Sequence, residues 1–172
     1  MVLDIRYTND NNPDDIINEY GTDTMRVYEM FMGDFSQAAP WSNKGVVGCR
    51  KFLERVWKMQ EFMTDSEDIT PDLERDINLT IKKVSDDIEK MKFNTAIATL
   101  MALINDIYKK KAITKAELKT FLQLLNPTAP HITEEMWQIS GFEKTIAETP
   151  WPKYDEAKTI DAEVEIVVQI NG

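Results

Sequence analysis

The stretch Gly48-Cys49-Arg50-Lys51-Phe52-Leu53-Glu54-Arg55-Val56-Trp57-Lys58 holds four cations, three of them at spacings of four and three. On a helix Lys51, Arg55 and Lys58 share one face, while Phe52, Val56 and Trp57 anchor the other. Such a row suits phosphate oxygens: a guanidinium grips two at once, and an ammonium acts as a point charge. Arg50 and the upstream Lys44 extend the basic island. A structural use competes with this one, because Arg55 has many carboxylates to pair with in an acidic chain.

Other chemistry finds little support. His131 is the only histidine and directly follows Pro130, so a cap or packing role at a helix start is expected of it. Asp10-x-Asn12-x-Asp14 opens like a calcium loop, yet Asp15 occupies the required glycine and Gly21 the required glutamate. Neither a G-x-x-x-x-G-K-[ST] nor a G-x-G-x-x-G phosphate cradle occurs. The adjacent acids Asp14-Asp15, Asp86-Asp87 and Glu134-Glu135 fall at helix starts or on polar faces. Cys49 sits at a near-apolar helix position and is expected to be inert core. One cysteine makes no internal disulfide and fits a reducing compartment, and one histidine with one cysteine is too few for the usual zinc cages. No catalytic residue, cofactor or metal ligand is therefore expected in these 172 residues.

Charge sharpens the picture once it is resolved by position. The chain carries 20 Lys+Arg against 30 Asp+Glu, a net charge of −10, which as an average argues against a polyanionic partner. Residues 1–35 hold eight acids against two bases, and residues 59–78 hold seven against one. Between them lies the first basic island, and a second follows at Lys109, Lys110, Lys111, Lys115 and Lys119. No apolar run approaches the roughly 18 residues of a membrane span, and the N-terminus lacks a secretory pattern. A cytoplasmic protein without a membrane partner is expected.

The elements that must position the islands are helical. Asn12-Pro13 starts a short helix over 14–20 that Gly21 ends. Thr22 or Asp23 caps a second, methionine-rich helix over 25–32, expected to be exposed. Ser36 to Ser42 is a loop. Asn43 opens a long helix with Val47, Phe52, Val56 and Met63 on its core face. Thr70-Pro71 starts another, in which Leu73, Ile77, Ile81, Val84, Ile88 and Met91 step by three and four. Asn94 caps a helix burying Ile97, Leu100, Met101, Ile104, Ile107 and Tyr108. Thr114 opens one with Leu118, Phe121, Leu122 and Leu125 inward, and after Pro130 residues 132–139 form the last, ended by Gly141. The β-branched run 164–170 before Asn171-Gly172 predicts a lone strand, which cannot bury itself and implies a longer parent chain.

Several segments together resemble the leucyl-tRNA synthetase family of class I. Asn12-Pro13-Asp14-Asp15-Ile16-Ile17 and Tyr20-Gly21-Thr22-Asp23-Thr24-Met25-Arg26 are similar to the segment downstream of its K-M-S-K-S loop. Tyr28-Glu29-Met30-Phe31-Met32-Gly33, Trp41-Ser42 and the Arg50 to Trp57 stretch follow in the family's order. Phe93-Asn94-Thr95-Ala96-Ile97 and Leu125-Asn126-Pro127-Thr128-Ala129-Pro130-His131-Ile132-Thr133-Glu134-Glu135-Met136-Trp137 resemble its helical anticodon-binding domain. The likeness covers about residues 12–172. The K-M-S-K-S and H-I-G-H motifs are absent, as are the editing and zinc modules.

The resemblance implies an all-α helix bundle of the class I anticodon-binding type. Its expected parts are a stem-contact-like segment 1–35, a bundle 36–149, and a linker and strand 150–172 leading to a C-terminal domain. It implies leucine tRNA as partner, beside the catalytic and C-terminal domains of a parent ligase that uses ATP with Mg. The family's basic pair falls on Lys51 and Arg55, with Arg50, Lys58 and Lys44 around it, and its tryptophan falls on Trp41. Backbone gripping by shape and charge is expected rather than base reading. A helical scaffold docking on the catalytic core or another protein, or the same domain of a valyl, isoleucyl or methionyl enzyme, is the alternative.

Overall fold

The computed structural model describes residues 12–34 and 39–160. The predicted strand 164–170 lies outside them. Helix α1 (Pro13–Tyr20) starts as expected, Asn12 accepting from the Asp14 N–H at 3.1 Å. Gly21, at φ +91°, turns the chain directly into α2 (Thr22–Phe31). Neither Thr22 nor Asp23 caps α2, because both already lie inside its first turn. The methionine-rich helix is not exposed: Met25, Val27 and Tyr28 are buried, and Met30, Phe31 and Met32 pack against the core.

Helix α3 (Asn43–Lys58) is followed by a 3-10 turn (Met59–Phe62) and the two-residue strand β1 (Met63–Thr64). Met63 is thus outside the helix; Phe52 and Val56 are buried as expected, with Cys49 and Leu53 beside them, but Val46 rather than Val47 completes the buried face. Helices α4 (Pro71–Glu89) and α5 (Phe93–Lys110) form a hairpin across three residues. Leu73, Ile77, Ile81 and Val84 bury as the periodicity requires, whereas Met91 stands in the turn at φ 56° and is exposed. Helix α5 begins at Phe93, so Asn94 is not its cap. Asp87 is buried rather than on a polar face, and Lys83 pairs with it at 2.5 Å.

Strand β2 (Ile113–Thr114) pairs in parallel with β1 and leads into α6 (Lys115–Leu125). Thr114 and Glu117 make a reciprocal capping box there. The Glu117 carboxylate also accepts from the Thr70 N–H (2.8 Å) and hydroxyl (2.5 Å), so one buried group fixes the starts of α4 and α6. Helix α7 (Pro130–Ile139) closes the bundle, with Trp137 fully buried and donating to the Lys144 carbonyl at 3.0 Å. The chain then runs back along α4: Trp151 donates to Ser85 (2.8 Å), the Asp155 N–H to Asn78 (2.8 Å), and Lys158 pairs with Glu74 (2.6 Å). One apolar cluster, drawing on every α-helix, forms the core of this all-α bundle.

Candidate nucleic-acid interface

Helix α3 is held firmly at its start. Ser42 caps it, accepting from the Gly45 N–H at 3.2 Å, while the Ser42 N–H donates to the Tyr28 hydroxyl at 2.7 Å. Trp41 stands edge-on to Tyr28, with centroids 4.7 Å apart, and its indole donates to Asn43 at 2.6 Å. A Cβ on residue 45 would come within 2.6 Å of the Tyr28 ring, so this junction requires Gly45. Trp41 therefore positions the helix that carries the cations.

The outer face of α3 presents a row that the four-and-three spacing did not single out. Lys44, Lys51 and Lys58 stand seven residues apart, so they drift only about 20° per step and lie roughly 10 Å apart along the axis. All three are exposed, and none makes a hydrogen bond or ion pair among the described residues. A Cβ on Gly48 would meet nothing within 4 Å, leaving the backbone open beside the row. A shallow depression of about 380 Å³ lies over Asn43, Lys44, Val47, Gly48 and Lys51.

The two arginines of this helix are engaged inside the fold. Arg50 pairs with Glu54 at 3.0 Å and donates to the Tyr20 carbonyl at 3.0 Å, tying α3 to the end of α1. Arg55 donates to the Asn105 carboxamide at 2.8 Å and lies over the Tyr108 ring. Its partner is thus an amide and an aromatic face, not a carboxylate. Burial raises the Tyr108 hydroxyl pKa above its ordinary value, against the lowering influence of Arg55. Trp57 anchors nothing deep; it is 42% exposed, although its neighbours Phe52, Leu53 and Val56 are buried.

The second basic island is largely spent on internal contacts. Lys109 pairs with Asp106 (2.7 Å), Lys110 reaches Thr70 and Glu117, and Lys115 pairs with Glu67 (3.4 Å). Lys119 lies over the Trp137 and Phe142 rings. Of the two islands, only α3 offers a row of unpartnered cations.

His131, expected to cap or pack, meets the Asp23 carboxylate through Nδ1 at 2.7 Å, and the other Asp23 oxygen accepts from the Ile132 N–H at 2.7 Å. Asp23 thereby caps α7 from α2. Cys49 is buried, and burial pushes its thiol up to about 11. Among the described residues no group of three or more His, Cys, Asp or Glu is arranged to hold a metal ion, and no helix is long and apolar enough to cross a membrane.

A family model described as the anticodon-binding domain of tRNA ligase matches residues 72–172, more than half the chain. The chain belongs to that family. It is also similar to a leucine–tRNA ligase of Alkaliphilus oremlandii (strain OhILAs), 60% identical over 161 residues, which are 94% of this chain and 20% of that protein. Among solved structures it matches the LeuRS of Agrobacterium radiobacter K84 in a ternary complex with tRNA and LeuAMS. That likeness has a TM-score of 0.74 and 30% identity, covering 87% of this chain and 21% of the other. The chain spans about a fifth of the length of these relatives. The relative from Alkaliphilus extends the likeness beyond the family match, over most of the chain.

Proposed function

We propose that this anticodon-binding domain is the tRNA-gripping helix bundle of a leucine–tRNA ligase, and that it carries out no chemistry itself. The observation that carries the reading is the unpartnered row Lys44, Lys51 and Lys58 on the outer face of α3. These ammonium groups contact phosphates, Arg50 and Arg55 fix the helix to α1 and α5, and Trp41 sets its start. Residues 1–35 act as a stem-contact segment, 36–149 as the bundle and 150–172 as the link to a C-terminal domain. The parent is a cytoplasmic enzyme that charges leucine onto its tRNA with ATP and Mg.

Titration of the chain with a leucine tRNA transcript at low and moderate salt tests this. Saturable binding that weakens with salt, and weakens further in Lys51→Ala plus Lys58→Ala, is the expected result. Absence of saturable binding at low salt overturns the reading. The scaffold alternative drew on acidic faces and an exposed methionine-rich helix; of these, the methionine helix is packed against the core, with Met25 buried and Met30 and Met32 partly so.

A further inference from the structure

We infer that the recess at the C-terminal end of α3 receives one unpaired nucleotide, its base stacked on Trp57 and its phosphate on Lys58; this rests on the RNA-binding reading above. The recess, about 570 Å³, lies between the α1–α2 junction, α3 and the start of α7, and includes Gly21, Arg50, Glu54, Trp57, Lys58 and His131 in its lining. That volume falls in the range of roughly 300–1,000 Å³ typical of small-ligand sites.

Charge selects the class of occupant. Arg50 is paired with Glu54, and the Asp23 carboxylate is held by His131 Nδ1 and the Ile132 N–H, which leaves Lys58 as the one cation of the lining with no partner among the described residues. The recess therefore offers a free ammonium beside an aromatic face. Trp57 is not exposed for lack of a core to enter, since Phe52, Leu53, Val56 and Met59 on the same segment are nearly inaccessible. A half-exposed indole next to a cation is the arrangement on which unpaired bases stack, whereas a base held in a duplex keeps its faces covered.

Continuity with the lysine row extends the same argument. Lys58 belongs to both features: it ends the row that begins at Lys44 and lines the recess. A phosphate backbone following Lys44 and Lys51 arrives at Lys58 with its next base beside Trp57. His131 supplies a polar edge, because Asp23 occupies Nδ1 and Nε2 has no partner among the described residues.

The test uses the full chain and two RNA hairpins with equal numbers of phosphates, one blunt and one ending in unpaired nucleotides. Trp57→Ala is expected to lower affinity for the second hairpin about tenfold, the scale of one lost base–aromatic stack, and to change the first less than about twofold. Trp57→Phe keeps a stacking face and is expected to restore most of the loss. Lys58→Ala is expected to weaken both and reduce the salt slope by about one. Thermal melting of each variant confirms that it is folded. Equal losses for both hairpins, no loss for either, or a Trp57→Phe variant as weak as Trp57→Ala overturns the inference. Failure of the unchanged chain to bind either RNA at low salt instead overturns the RNA-binding reading itself.

Discussion

The guanidinium of Arg55 lies 4.6 Å from the centroid of the Tyr108 ring, and the Tyr108 hydroxyl donates to the Arg55 carbonyl at 2.9 Å. Two residues 53 positions apart thus contact each other twice, and the pair clamps α3 onto α5. Lys51, one turn earlier on α3, makes no such contact. Neighbouring cations on one helix face consequently have different tasks.

Substitution separates those tasks. Arg55→Ala removes a hydrogen bond to Asn105 and a cation–aromatic contact, together about 1–2 kcal/mol of unfolding free energy. Lys51→Ala is expected to stay within about 0.5 kcal/mol of the unchanged chain. Arg55→Lys retains charge but loses the planar stack, so it falls between them. Urea unfolding checks all three; a Lys51→Ala loss as large as that of Arg55→Ala contradicts the division of roles.

Salt dependence reports the row as a unit. Each phosphate contact contributes roughly 0.7–0.9 to the slope of log affinity against log salt. Replacing Lys44, Lys51 and Lys58 together by alanine is expected to flatten that slope by about two to three. Replacing Lys109 and Lys115 by alanine is expected to leave it nearly unchanged, because Asp106 and Glu67 already neutralise them. A larger flattening in the Lys109 and Lys115 variant than in the triple variant would place the RNA on the second island instead.

The contrast between these islands marks how far the sequence could be read. Helix starts were legible at Asn12-Pro13, Thr70-Pro71 and Thr114, because the proline or cap residue that marks each lies within the first turn. The family was legible from ordered motifs. Which lysines stay free was not, since Lys110 is claimed by Thr70 forty positions away and Lys115 by Glu67. Trp57 looked like an anchor because its type is apolar, yet α3 turns Val46, Cys49, Phe52, Leu53 and Val56 inward and leaves it at the edge. The start of that helix is held by Trp41, Tyr28 and Gly45, a contact between α2 and α3 that no local pattern encodes.

Asp23 offers a test of packing between α2 and α7. Its carboxylate accepts from the Ile132 N–H in the first turn of α7 and is bonded to the His131 ring, so it satisfies a helix start that Ala129 cannot cap. Asp23→Ala is expected to cost about 1–2 kcal/mol, in the range of a lost N-cap. Asp23→Asn keeps one oxygen for the Ile132 N–H and is expected to cost about half as much. Chemical denaturation gives the order; equal losses would mean that charge, rather than the cap, carries the contact.

Glu117 is the more severe case. It is 1% exposed and accepts from two N–H groups and a hydroxyl, so removing it strands buried donors at the starts of two helices. Glu117→Ala is expected to lose about 3 kcal/mol or more and to melt cooperatively at a lower temperature. Glu117→Gln retains one acceptor oxygen and is expected to recover part of this. A Glu117→Ala variant that melts with the unchanged chain would show that water replaces the carboxylate.

Cys49 yields a prediction whose sign follows from burial alone. Its thiol is pushed from 9.0 up to about 11 in the folded chain, because the thiolate has no solvent or cation to stabilise it there. Below pH 9 both states hold the proton and the residue contributes no pH dependence. Above pH 9 the unfolded chain ionises while the folded chain does not, so stability falls by up to about 1.4 kcal/mol per pH unit until about pH 11. Cys49→Ala leaves a small cavity and is expected to be about 1 kcal/mol less stable near neutrality. The two chains should therefore converge and then cross between pH 9 and 11 in urea titrations. A difference that stays constant across that window would mean the thiol ionises equally in both states and is not sealed in the core.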